Sequence, residues 1–211
     1  ILVKGKQTHG ALPWAGIDPI VISAQIINAL QTIVSRQIDI TEIPAVVTVG
    51  AIKGGIRNNI VPDEVEMIGT VRTFDAAQRR DILDRMARIV EKTAAASGTT
   101  ASFTVDADSN PVVLNDRALT EAVVPSLRKA SQDVRTVPLV TGAEDFAFFA
   151  AKVPSFFFFV GITPPDQNPA TAASNHSPLF YIDEAGIPIG SRALANVAYD
   201  YLLASQGAQA R

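Results

Sequence analysis

Only two histidines, His9 and His176, occur in 211 residues, and there is no cysteine. Disulfides and thiolate metal ligands are therefore excluded, which leaves imidazole and carboxylate as candidate metal ligands and proton carriers. His176 stands in TAASNHSPLF (171–180), among small, polar, turn-forming residues rather than on an apolar face. A neutral imidazole suits zinc, yet zinc takes three or four ligands, so this ring alone is not a site. The plainer alternative is a surface histidine hydrogen-bonded to its neighbours. Upstream, TGAEDFAFF places Glu144 and Asp145 at the expected start of a short helix. Paired acids there either serve a site or simply favour the positive end of the helix dipole.

His9 closes a strand-like opening segment and is followed by Gly10, which keeps the backbone thin beside it. In RNNIVPDEVEMIGTVRTF, Asn58 and Asn59 precede a strand and Arg72 lies thirteen residues beyond Asn59. An Asn amide and an Arg guanidinium converging on one end of a sheet can hold a carboxylate, the Arg through two parallel hydrogen bonds. Taken singly, they read as a turn Asn and a surface Arg.

These side chains must be carried by a scaffold, and the sequence outlines it. A strand over 1–9 leads to Asp18-Pro19, an N-cap followed by proline at the first helical position, and a helix to about Arg36. Strands follow at 44–53 and 62–73. Asp75 and Gln78 stand at capping-box spacing, and a helix runs from there to Gly98. A strand in TASFTVDA completes the order βαββαβ, that of a ferredoxin-like sandwich, over residues 1–108. The second helix carries one stripe, Ile82, Leu83, Met86, Ile89 and Val90. The first is wider: Ile20, Ile22, Ile26, Ile27, Leu30, Ile33 and Val34, with Ala24 and Ala29, sweep about 220° of the wheel. It needs cover on two sides, its own sheet and either a neighbouring domain or, favoured here, a second copy of the chain.

Residues 109–211 read as helix (114–131), strand (135–140), short helix, strand (155–160) and a final helix from Asp183, an α/β alternation. FFFFV at 156–160 is apolar throughout, as expected of a strand buried on both faces of a parallel sheet. Two strands do not make such a sheet, and the chain opens on Ile1 without an initiator Met. An excised piece of a longer protein is the expectation. Thr163–Ser174 is a long loop, a length more often functional than not. Loops near the carboxyl ends of parallel strands are where α/β proteins place their sites. A net charge of −3 with no basic cluster argues against nucleic acid as a partner. No apolar run approaches the roughly 20 residues of a membrane-spanning helix.

Four ordered segments together resemble the aminoacylase, hippurate hydrolase and indole-acetyl-amino-acid hydrolase family of dinuclear zinc metallopeptidases. GKQTHGALPWAGIDPI is similar to its GxGxHAAxPxxxxDPI, NNIVPDEVEMIGTVRTF to its NVIPxxxxxxGxxRxF, GAEDFAFF to its GSEDFxxF, and SNHSPLF to its xxHSPxF. Gln7-Thr8 depart from the glycines common there. The resemblance implies a ferredoxin-like lid and dimerisation domain (1–108) joined to the C-terminal part of an α/β catalytic domain (109–211). It further implies two divalent metal ions, zinc first and manganese, cobalt or nickel as alternatives, with His176 as one ligand. His9 would reach the partner subunit's site and stabilise an oxyanion. Asn59 and Arg72 would hold the substrate carboxylate, and Gly142, Glu144 and Asp145 would line the site. A small-molecule N-acyl amino acid or peptide substrate and a homodimer follow from the same likeness, as does an N-terminal half bearing the other ligands and the catalytic Glu, without which this polypeptide would be inactive. The competing expectation is a non-catalytic dimerisation or anion-binding module; a dipeptidase or carboxypeptidase would share the mechanism. The compartment is not fixed, cytoplasm being favoured and periplasm requiring a leader.

Overall fold

The expected single strand over 1–9 folds as two, β1 (Leu2–Lys4) and β2 (Thr8–His9), which belong to different sheets. Gly5 causes the break. A Cβ on it would sit 2.5 Å from the Pro19 ring, so the chain crosses there against the next helix and only glycine fits. The computed structural model describes residues 1–209 and divides into two compact units: Ile1–Val112 with Thr141–Asp145, and Val113–Val140 with Phe146 onward.

In the first unit, Asp18 is extended and its carboxylate accepts from the N–H groups of Ile20 (2.9 Å) and Val21 (3.4 Å), while Pro19 opens helix α1 (Pro19–Thr32). The helix continues through a π turn over Ile33–Gln37. Strand β3 (Ala45–Gly54) follows. The expected strand over 62–73 is divided into β4 (Ile60–Val61) and β5 (Glu64–Thr73), because Pro62 has no N–H to continue a ladder. Helix α2 (Ala76–Ala96) begins at Asp75, which accepts from the Gln78 N–H at 2.7 Å. The capping box is only half formed, since the Gln78 side-chain oxygen accepts from the Thr73 hydroxyl instead of the Asp75 N–H, while its amide donates to Ile43 O at 2.7 Å. Strand β6 (Ala101–Ser102) is shorter than the expected 100–107, because its partner β1 offers only three residues to pair with.

The main sheet runs β3-β5-β1-β6, every pair antiparallel, which is the ferredoxin-like order. Val3, Val47, Val65 and Met67 meet Ile22, Ile26, Leu30 and Ile33 of α1 and Ile82, Met86 and Val90 of α2 in one core. Each fully buried aliphatic side chain contributes about 1.5–3 kcal/mol. Strand β3 is an edge, paired with β5 alone. Its register shifts between Val49 and Ala51, leaving Gly50 as a bulge that bends the edge.

The second unit holds α3 (Arg117–Arg128), the single-turn α4 (Ala147–Ala150) and α5 (Gly186–Gln209). Asp116 caps α3 by accepting from the Leu119 N–H at 2.7 Å. The Ser126 hydroxyl donates to Asp200 at 2.5 Å, and Lys129 grips both oxygens of that carboxylate at 2.7 and 2.8 Å, tying α3 to α5. Lys129 first, then Ser126, hold the Asp200 carboxyl below the ordinary carboxylate range. The expected strands over 135–140 and 155–160 form no ladder among the described residues, and Phe159 is exposed. A strand is defined by its neighbours, and the backbone of Phe157 is paired instead with the Asn115 side chain. That amide donates to Phe157 O and its oxygen accepts from Phe157 N–H, both at 2.8 Å. The expected helix near Glu144 begins three residues later, at Ala147.

Candidate active-site residues

His9 is placed by a miniature sheet. Strand β2 pairs with β4, Thr8 opposite Val61 and His9 opposite Ile60, and Gly10 N–H donates to Asn59 O at 2.8 Å. His9 and Asn59 therefore share one tip of the first unit, and Gly10 is thin because a Cβ there would meet the Asn59 backbone at 3.2 Å. The His9 ring is exposed, and its Nδ1 accepts from the Ala11 N–H at 3.0 Å. A neutral ring with Nδ1 as acceptor carries its proton on Nε2, so the tip presents an N–H donor to its surroundings. The turn is braced, since Leu12 N–H donates to His9 O at 2.8 Å and the Thr8 hydroxyl to Leu12 O at 3.2 Å.

Arg72 is not at that tip. It lies opposite Val46 near the far end of β5, whereas Gly5 N–H donates to Asp63 O where β5 begins, on the side of His9 and Asn59. Eight residues separate Glu64 from Arg72 along an extended strand, about 26 Å at ~3.3 Å per residue. Within one chain the expected convergence of Asn59 and Arg72 does not occur. Asn59 precedes the strand and Arg72 lies near its other end, so the ten residues of β5 carry them apart.

Another feature lies along the β3 edge. The Gln31 side chain of α1 reaches Val47 O at 3.4 Å, and Ile20 Cδ1 would lie 3.7 Å from a Cβ on Gly55, just past the end of β3. The helical stripe Ile20, Ala24, Ile27 and Gln31 thus runs alongside the open edge. Ile20 (44% exposed) and Ile52 of β3 (53%) remain uncovered there.

His176 is exposed and has φ 72°, the only positive φ outside glycine among the described residues. Ser177 N–H donates to Ser174 O at 3.1 Å, closing a turn whose third position His176 occupies. That position favours Gly or Asn, and an imidazole held there costs about 1–2 kcal/mol of backbone strain. Backbone strain of this kind concentrates at functional sites. The donor suits a metal ion, but no group of three or more His, Cys, Asp or Glu gathers among the described residues. Gly142 and Asp145 are exposed and Glu144 is half-buried, in the Thr141–Asp145 segment that clusters with the first unit. No described helix is long and apolar enough to cross a membrane.

Sequence reasoning passed over Leu12, Trp14 and Ile56, exposed apolar residues on the two segments that carry His9 and Asn59. The available signal was a lone tryptophan in a Gly- and Pro-rich turn.

Residues 1–98 match the peptidase dimerisation domain family. The chain is 38% identical to thermostable carboxypeptidase 2 of Saccharolobus solfataricus, over 95% of its own length and 50% of that protein's. It is 38% identical to the N-acetyl-L-cysteine deacetylase of Bacillus subtilis, over 88% and 42%. A crystal structure of a dinuclear metal-binding M20-family peptidase from Bacillus subtilis superimposes with a TM-score of 0.66 at 28% identity, covering 93% of this chain and 49% of that one. The chain spans about half the length of the curated relatives it matches. Residues 1–98 are thus an M20-type peptidase dimerisation domain, and the chain as a whole is a homologue of M20-family peptidases and deacetylases.

Proposed function

We propose that this chain works within a dimeric, metal-dependent amidohydrolase that cleaves N-acyl amino acids, each active site drawing residues from two lids. The observation that carries this reading is the distance between Arg72 and the His9–Asn59 tip, together with the open β3 edge. Antiparallel pairing of β3 with the same strand of a second copy, centred near Gly50, sets Val46 of one chain against Gly54 of the other. Arg72 of one chain then approaches the tip of its partner. From β5 across the two edge strands to the second β5 is three strand spacings, about 14 Å, well inside the about 26 Å within one chain. The exposed stripe of α1 is covered in the same step.

In such a site the Arg72 guanidinium takes the substrate carboxylate through two parallel hydrogen bonds, and the Asn59 amide of the other chain adds a third donor. The His9 Nε2–H points at the amide carbonyl and gains strength as that oxygen becomes an oxyanion, which makes it a group that favours the transition state over the ground state. Gly142, Glu144 and Asp145 form part of the wall. His176 would hold one of two divalent ions, zinc being the expected metal. What such ions supply is polarisation of a carbonyl and activation of water.

The test is metal analysis of the enzyme carrying this sequence, with hydrolysis assayed on hippurate, N-acetyl amino acids and dipeptides. Metal-dependent release of the amino acid from N-acyl substrates is expected; a dimer that binds carboxylates yet hydrolyses none of them would overturn the reading. A second reading, a peptidase removing C-terminal residues, draws on the carboxypeptidase relative and shares the mechanism. Preference for dipeptides over N-acyl amino acids in the same panel would favour it.

A further inference from the structure

The two most exposed large apolar side chains of the first unit both flank the proposed oxyanion donor. Trp14 is 79% exposed in the turn that leaves His9, and Ile56 is 86% exposed in the loop that leads to Asn59. Leu12, 47% exposed, stands between His9 and Trp14. Trp14 is the only tryptophan in the chain. Its backbone is fixed: Pro13–Ala15 forms a 3-10 turn, Ala15 N–H donates to Leu12 O at 3.0 Å, and Gly16 N–H to Pro13 O at 3.2 Å. Lys6 and Ile17 exchange backbone hydrogen bonds at 2.9 and 3.0 Å behind the turn. Gly16 lies so close to Lys6 O that a Cβ would come within 2.4 Å of it. A rigid turn that holds an indole mostly in water presents that surface to a ligand.

Resting on the function proposed above, we infer that Trp14, with Leu12 and Ile56, forms an apolar platform that selects the acyl group of the substrate. The argument is positional. The carboxylate end of the substrate is fixed by Arg72 of one chain, and the scissile carbonyl lies under His9 of the other. The acyl group continues from that carbonyl on the side away from Arg72, and Leu12 and Trp14 are the large exposed apolar residues on the turn that leaves His9, with Ile56 on the neighbouring loop. A planar indole favours a flat or branched acyl group over acetyl, and the cost of its exposure is recovered when such a group stacks on it.

The experiment is a matrix of kcat/KM values for the enzyme carrying this sequence, in wild-type, Trp14→Ala and Trp14→Phe forms. The substrates are N-benzoyl and N-acetyl derivatives of glycine and of leucine. In Trp14→Ala the ratio of benzoyl to acetyl activity should fall about 10- to 100-fold, mainly through KM, with glycine and leucine affected alike. Trp14→Phe should restore most of the ratio, which a purely structural role would not produce. A loss that follows leucine against glycine, whatever the acyl group, would place Trp14 on the amino-acid side and overturn the inference. So would an unmoved benzoyl-to-acetyl ratio in an enzyme that does hydrolyse these amides, and in that case the proposed function would stand. Absence of hydrolysis by the wild-type enzyme would overturn both.

Discussion

Truncating Ile20 and Ile52 together should dissociate the proposed dimer while leaving the fold intact. Both side chains are about half exposed, at 44% and 53%, beside the open edge of β3, so neither contributes much to the core of its own chain. Covering the exposed half of such a side chain contributes about 1 kcal/mol, half of the ~1.5–3 kcal/mol for a whole aliphatic side chain. Twofold symmetry counts each contact twice, so four truncations remove about 4 kcal/mol. At about 1.4 kcal/mol per tenfold, the dimer dissociation constant of Ile20→Ala/Ile52→Ala rises about a thousandfold. Sedimentation equilibrium of the wild type and the double variant measures this directly, and thermal unfolding at high protein concentration confirms that the monomer still folds. A dissociation constant within threefold of wild type would refute the assignment of the β3 edge and the α1 stripe as the interface.

Three other outcomes are expected. Ser23 is fully buried in α1 with its hydroxyl unpartnered, so Ser23→Ala should stabilise the first unit by about 1 kcal/mol, read from the denaturant midpoint. Because Lys129 and Ser126 lower the Asp200 carboxyl from its ordinary 3.8, their contribution is complete above that value and lost as pH falls through the lower folded one. Wild type should therefore lose stability below about pH 4 more steeply than Asp200→Asn, and coincident acid-unfolding curves would contradict the linkage. At His176, the glycine variant should be more stable than the alanine variant by about 1 kcal/mol, since both lack the imidazole and only glycine accepts φ 72° freely. Both should lose bound metal in the enzyme carrying this sequence, measured by elemental analysis.

What was legible in the sequence was local. Asp18-Pro19 and Asp75 announce the starts of α1 and α2 because a cap is a short-range bond between a side chain and a backbone N–H two or three residues away. The wide apolar sweep of α1 called for cover on a second side, and the structure leaves Ile20 of that sweep uncovered beside β3. Strand ends were less legible, because pairing is non-local. Ala101–Ser102 stop where β1 stops, and Phe156–Val160, apolar at every position, finds one side chain of Asn115 instead of a neighbouring strand. His9 and Asn59 could be named from their motifs, but no spacing reveals that they share a tip while Arg72 lies at the opposite end of β5. The first relation depends on the pairing of β2 with β4, the second on the unbroken length of β5. Trp14 and Ile56 escaped notice because exposure is a property of the folded chain, not of residue type.

The shared-site account is tested most directly by distances across the dimer. The chain contains no cysteine, so single cysteines at positions 59 and 72 can be spin-labelled without background. Dipolar EPR on dimers mixed from chains labelled singly at one or the other position reads the distance between subunits. Doubly labelled chains diluted into unlabelled protein read the distance within one. The expected result is a 59–72 separation of about 14–20 Å between subunits against roughly 26 Å within a chain. A separation between subunits longer than the one within a chain would contradict an active site built from two lids.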